Sequence, residues 1–162
     1  MGQGDLEKTS SIEPFVLGLT GLSGAGKTFF VDALRARLGD AVTVVGFDDY
    51  YKPLEMQHVD EFGEANYDLP SALFSERFHE DLMSLIAYRP VLIKKYQFEN
   101  YDAPDRTEIV SPAPILLVEG LFVMDYEAVD SLLNYRIFVD CDLELCFNRR
   151  IERDIRERGI PL

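Results

Sequence analysis

The chain predicts an open parallel α/β sheet flanked by helices. Short apolar runs recur at Phe15–Thr20, Val42–Phe47, Ile115–Val118 and Tyr135–Val139, as expected of strands buried on both faces. Segments of helical period lie between them, and that alternation is the pattern of parallel strands joined by crossover helices. A glycine-rich loop, Gly21-Leu22-Ser23-Gly24-Ala25-Gly26-Lys27-Thr28, joins the first apolar run directly to the first helical pattern.

Taken in order, residues 1–14 are polar, end in Pro14 and read as a loose N-terminal arm before a single domain over 15–162. Phe15–Thr20 is the first strand. Thr28–Leu38 is a helix whose apolar face is traced by Phe29, Ala33, Ala36 and Leu38, with Gly39 as its stop. Val42–Phe47 is the second buried strand. From Asp48 to Pro70 no period is visible, and a stretch that long without regular structure is usually functional or mobile. Ser71 is a candidate cap for a helix in which Leu73, Phe74, Phe78, Leu82, Leu85 and Ile86 recur at three and four, ending before Pro90. Val91–Phe98 and Glu108–Ser111 read as a small hairpin inserted in the domain. Ile115–Val118 is the third parallel strand, Asp125–Leu133 a short helix, Tyr135–Val139 the fourth strand, and Leu143–Arg158 the last helix.

With 162 residues, 47% of them apolar, the chain can bury one sizeable core. The net charge of −13 argues against nucleic acid as a partner, because binding a phosphate backbone needs clustered cations. No apolar run reaches a membrane span and no leader pattern opens the chain, so it reads as cytoplasmic with no membrane partner. Cys141 and Cys146 do not have the C-x-x-C spacing, and His58 and His79 are remote in sequence, so a zinc site is not expected.

Gly21–Thr28 is a complete Walker A motif in its strand–loop–helix context, which makes the fold class a P-loop NTPase. Glycines without Cβ atoms let the loop wrap its N–H groups around phosphate oxygens, and the following helix points its positive end at the same anion. Lys27 is placed to reach the β- and γ-phosphates and the Thr28 hydroxyl to ligate Mg²⁺. The second strand runs into Asp48-Asp49-Tyr50-Tyr51-Lys52 on the rim where ligands of open α/β sheets bind. Asp48 is the first candidate and Asp49 the second for the carboxylate that takes a proton from an attacking hydroxyl. The third strand ends in Glu119, which could hold Mg²⁺ through a water or position the base. On the last helix Arg149, Arg153 and Arg156 share a face, either as a lid that meets phosphate charge or as a surface laced with ion pairs. Tyr50, Tyr51, Phe62, Tyr67, Tyr96, Phe98 and Tyr101 either stack on a flat base or pack as core.

These residues, together with Tyr67-Asp68-Leu69-Pro70, Tyr96-Gln97-Phe98, Val118-Glu119-Gly120 and the run from Arg149 to Gly159, resemble the uridine kinase/phosphoribulokinase family of P-loop kinases, and its uridine–cytidine kinases most of all. The likeness spans about Phe15 to Gly159 and implies a nucleoside/nucleotide kinase-like fold with the hairpin as substrate insert. It implies phosphorylation of a nucleoside 5′-hydroxyl with ATP (or GTP) and Mg²⁺, uridine or cytidine becoming the monophosphate. Asp48, Lys27 and Arg153 would be catalytic. Gly21, Ser23, Gly24, Ala25, Gly26, Lys27, Thr28 and Arg158 would hold the nucleotide, and Thr28 and Glu119 the metal. Tyr51, Asp68, Tyr96, Phe98, Tyr101, Arg150 and Arg153, with Asp48, would surround the acceptor. The family permits a homo-oligomer. Three features differ from it. Gln97 stands where an aspartate is usual and Tyr101 where a base-contacting histidine is usual, Ile160-Pro161 replaces a basic residue, and the family's last strand is expected to be missing after Leu162. Asp48–Pro53 and Glu119–Leu133 also resemble nicotinamide riboside kinases, which gives a second acceptor. A nucleotide-binding protein that has lost its activity is a third reading.

Overall fold

The chain runs β1 (Phe15–Gly21), α1 (Lys27–Leu38), β2 (Val42–Gly46), β3 (His58–Val59), β4 (Ala65–Asn66), α2 (Ser75–Ile86), β5 (Val91–Lys95), β6 (Arg106–Val110), β7 (Ile115–Glu119), α3 (Glu127–Asp130), β8 (Tyr135–Val139) and α4 (Leu143–Arg158). The computed structural model describes residues 13–97 and 106–158; most of the expected N-terminal arm falls outside them. β2, β7, β1 and β8 form one parallel sheet in that order, and the chain crosses from one side of β1 to the other between β7 and β8. β5 and β6 form the expected antiparallel hairpin, pairing Val91 with Val110 and Lys95 with Arg106.

Both faces of the sheet are covered. On β7, Leu116 and Val118 point to the side of α2 and Leu117 to the side of α1, and all three are fully buried. This is the two-sided burial that a continuous apolar run requires. α2 buries Phe78, Leu82 and Leu85, residues spaced by four and three.

Four local expectations are corrected. The inward face of α1 is formed by Phe30, Val31, Leu34 and Leu38, whereas Phe29 is 81% exposed and Ala33 and Ala36 face outward. At about 100° per residue, a helix whose Lys27 faces the cleft turns Val31, Leu34 and Leu38 the same way and Phe29 to the far side. Ser71 does not cap α2; it lies in a 3-10 turn, Pro70–Ala72, and Phe74 occupies the cap position. Leu73 is drawn down into a bridge with Tyr51 and leaves the helix to start later. The segment 48–70 is not irregular throughout: it contains 3-10 turns and the short β3–β4 hairpin. The helix expected over Asp125–Leu133 is a single α-turn, and the chain then runs to Asn134, whose side-chain oxygen accepts the Val16 N–H at 2.6 Å.

Candidate active site

The parallel register brings three strand ends to one rim. Leu19 of β1 and Gly46 of β2 both stand beside Glu119 of β7, so the loop after β1, the turn after β2 and the carboxylate ending β7 converge there. The buried Thr20 hydroxyl lies 2.9 Å from the Gly120 carbonyl and 2.7 Å from that of Leu121, tying the ends of β1 and β7 together. The loop is shaped by two left-handed glycines. Gly26, with φ of 105°, turns the chain into α1, and Gly24, with φ of 82°, packs so closely on α4 that a Cβ would strike the Cys146 carbonyl. Lys27 folds back over the loop and donates to the Gly21 carbonyl at 2.9 Å and the Leu22 carbonyl at 3.2 Å.

The turn after β2 is a 3-10 segment, Phe47–Tyr50, whose aromatic ends anchor it. Phe47 stacks on Phe78 of α2 with ring centroids 4.1 Å apart, and Tyr50 donates its hydroxyl to Asp81 at 2.8 Å. With Phe47 and Tyr50 fixed in the core, the two intervening aspartates are held at the rim, where they take different places. Asp48 lines the cleft with the phosphate loop, whereas Asp49 pairs with Lys95 at 2.6 Å and lines the neighbouring cavities. The two candidates left open by the sequence thus stand in different surroundings.

α4 closes the far wall. Arg153 donates to the Ser23 hydroxyl at 3.1 Å, Arg149 reaches the Gly24 carbonyl at 3.4 Å, and Arg150 pairs with Asp68 at 2.7 Å. Asp154 accepts from both Arg150 and Arg153 and holds the two guanidinium groups side by side. The helix thus joins the phosphate loop at one end of the cleft to the Asp68 segment at the other, and its arginines take part in ion pairs while lining the cleft.

The cleft encloses about 490 Å³. Lys27, Arg149, Arg150, Arg153 and Arg156 line it together with Asp48, Asp68, Glu119 and Glu152, so cations gather here in a chain whose net charge is −13. Such a site favours anionic oxygens without needing a basic protein. Burial holds the Lys27 ammonium below the ordinary lysine range, although Glu119 and then Asp48 pull it upward. Burial, and next the Asp48 carboxylate, push Glu119 up to about 7.

The Glu119 shift has a consequence for stability. Its folded pKa lies above the unfolded value of 4.5, so the folded chain binds this proton more tightly. The resulting stabilisation is complete below the unfolded pKa and is lost as pH rises through about 7. In metal- and nucleotide-free protein, Glu119→Gln is therefore expected to raise stability at pH 8 by about 2 kcal/mol, on the order of 5 °C in melting temperature, and to change it little at pH 5. Thermal melts in EDTA at both pH values check this; an equal shift at both would contradict it.

Of the residues singled out in the sequence, the cleft brings together Ser23, Gly24, Gly26, Lys27, Thr28, Asp48, Tyr51, Asp68, Glu119, Arg150 and Arg153. Gly21 contributes its carbonyl to Lys27, and Ala25 is buried beneath the loop. Tyr96 stands behind the wall, its ring 5.4 Å from that of Tyr51 and 6.4 Å from that of Tyr67. Phe98, Tyr101 and the side chain of Arg158 lie outside the described residues. Tyr67, one of the aromatics expected either to stack or to pack as core, also lines the cleft, whereas Lys95, the partner of Asp49, was not singled out. The Lys95 signal is a charge in phase with the buried Val91 and Ile93.

A Walker A loop at the centre of a parallel sheet of order β2-β7-β1-β8, with strand-end carboxylates facing it, defines a P-loop NTPase fold. A family model described as the phosphoribulokinase/uridine kinase family matches residues 16–162. The chain is 34% identical over 150 residues to a uridine kinase of Lactiplantibacillus plantarum, covering 92% of this chain and 72% of that one. It is 32% identical over 152 residues to a uridine kinase of Halobacterium salinarum, covering 94% and 68%. Among solved structures, one described as a possible uridine kinase from Bacillus stearothermophilus superposes with a TM-score of 0.64 at 19% identity, covering 91% and 84%, and shares the fold. The chain belongs to the phosphoribulokinase/uridine kinase family of P-loop kinases. Among the described residues, no helix is long and apolar enough to cross a membrane.

Proposed function

We propose that the protein transfers the γ-phosphoryl group of ATP to the 5′-hydroxyl of a pyrimidine riboside, giving uridine or cytidine monophosphate. The observation that carries this reading is the single cleft in which the phosphate loop, Asp48 and the Arg150–Asp68 pair face one another. The relatives named uridine kinase support the choice of acceptor.

In this reading the loop N–H groups and Lys27 hold the β- and γ-phosphates. Asp48 accepts the proton of the attacking hydroxyl, whose oxygen bonds to the γ-phosphorus as the bond to the β-bridging oxygen breaks and ADP leaves. Arg153, steadied by Asp154 and Ser23, offsets charge that develops on the transferred group. Asp68, with Arg150 and Tyr51, holds the sugar end of the acceptor.

Mg²⁺ fits the residues present. No cluster of three or more His, Cys, Asp or Glu able to hold a metal exists among the described residues, but Mg²⁺ keeps waters and phosphate oxygens and needs only one or two protein ligands. The Thr28 hydroxyl and the Glu119 carboxylate would hold it, and burial, which lifts Glu119, suits that carboxylate to a cationic partner. When bound, the ion offsets the charge of the phosphates.

The test is incubation with Mg²⁺ and ATP and, separately, uridine, cytidine, nicotinamide riboside and ribulose 5-phosphate, with products read by mass spectrometry. The expected products are uridine and cytidine monophosphates. A product from nicotinamide riboside alone would reassign the acceptor. ATP binding with no product from any acceptor would mean a non-catalytic nucleotide binder.

A further inference from the structure

We infer that Lys95 is a positioning residue for the acceptor: its ammonium, clamped between Asp49 and Glu108, fixes the β5–β6 hairpin against the Asp48 turn. Lys95 Nζ lies 2.6 Å from Asp49 Oδ2 and 3.4 Å from Glu108 Oε2, so one cation joins the catalytic turn to both strands of the hairpin.

Strand alternation shows that this lysine is out of place as a surface residue. On β5, Val91 and Ile93 point inward and are buried, while Leu92 and Lys94 point outward. Lys95 falls on the inward phase, where an apolar side chain would pack without desolvating a charge. The Lys95 side chain is 37% exposed and that of Asp49 18%, so removing Lys95 leaves the more shielded Asp49 without this countercharge, whereas removing Asp49 leaves Lys95 paired with Glu108 alone.

The pair also sits where small displacements matter. Asp49 follows Asp48 directly, and Lys95 immediately precedes Tyr96. The Tyr96 ring packs on Tyr51 and Tyr67, and those two residues line the cleft. Asp48, Asp49, Lys95 and Tyr96 therefore form one short path from the proposed base to the aromatic wall at the acceptor end. The phosphate loop and α4 are not on this path, so the clamp acts on the acceptor and not on the nucleotide.

This inference rests on the kinase reading for its kinetic consequence, while its structural consequence can be measured without it. Lys95→Met keeps the length of the stem and removes the charge. It is expected to raise the acceptor KM about tenfold or more while the ATP KM stays within about twofold, because a misplacement of an ångström at a reacting group is costly. Lys95→Arg and the exchanged pair Asp49→Lys/Lys95→Asp are expected to recover most of the acceptor KM. In hydrogen exchange, the amides of residues 91–97 and 106–110 are expected to exchange faster in Lys95→Met, and those of β1 and β7 to be unchanged. Equal rises in both KM values, or failure of both Lys95→Arg and the exchanged pair to rescue, would overturn the positioning role. Unchanged exchange in the hairpin would overturn the clamp itself, even if the wild-type protein phosphorylates no riboside. A wild-type protein with no product but with faster hairpin exchange in Lys95→Met would fault only the kinase reading.

Discussion

Lys27→Ala is expected to lower turnover by about three orders of magnitude or more and to weaken ATP binding. Lys27 is the first residue of α1, and its ammonium lies across the phosphate loop against the Gly21 and Leu22 carbonyls. Alanine removes the one positive charge that the loop itself carries. A thousandfold loss corresponds to about 4 kcal/mol of transition-state stabilisation, above what a single neutral donor supplies and within reach of a charge acting at low dielectric. Folding stability is expected to hold or rise slightly, because burial already disfavours the lysine charge. Lys27→Arg is expected to rescue poorly: a planar guanidinium fork cannot fold onto two carbonyls at the same end of the loop as a compact ammonium does. Steady-state kinetics, nucleotide titration and thermal melts on the same preparations separate these effects. Turnover within tenfold of wild type would show that the loop amides and the arginines of α4 suffice to bind the phosphates.

The parts of this molecule legible in its sequence are those set by local period. The two-faced burial of Leu116, Leu117 and Val118 was written in an unbroken apolar run, and the amphipathic spacing of Phe78, Leu82 and Leu85 defined α2. The phosphate loop was legible for another reason: glycine, lysine and threonine at those offsets have little alternative use. What the sequence left open depended on pairings between distant segments. Asp48 and Asp49 are neighbours of identical chemistry, and their places differ in that Asp48 lines the cleft while Lys95, forty-six positions on, takes Asp49. The same holds for the aromatics, where Tyr50 is core, Tyr51 and Tyr67 line the cleft, and Tyr96 supports them from behind. Hydrophobicity cannot distinguish these places, because each ring packs on another. The face of α1 was misread because the loop, rather than the helix's own composition, fixes its rotation.

Asp48→Asn is expected to lower kcat by about 10² to 10⁴ while both KM values stay within a few-fold. Asparagine preserves the size and hydrogen-bonding reach of the side chain, so the turn anchored by Phe47 and Tyr50 keeps its place and the acceptor still binds. What is lost is the ability to take a proton as the hydroxyl oxygen bonds to phosphorus. Removing this carboxylate also relieves repulsion, since Asp48 is the second influence, after burial, that raises Glu119. The loss of the Asp48 attraction for Lys27 opposes that gain, so the variant is expected to differ little in stability from wild type, and its Glu119 to titrate at lower pH than in wild type. Slow turnover in a fully folded protein with normal affinities would isolate the chemical step as the one that needs Asp48. Asp49→Asn supplies the contrast. Asp49 is engaged by Lys95 and lies outside the cleft, so its loss is expected to act mainly on acceptor KM. If instead Asp49→Asn stopped turnover and Asp48→Asn left it within threefold, the base would be Asp49, and its ion pair with Lys95 would have to open during each cycle.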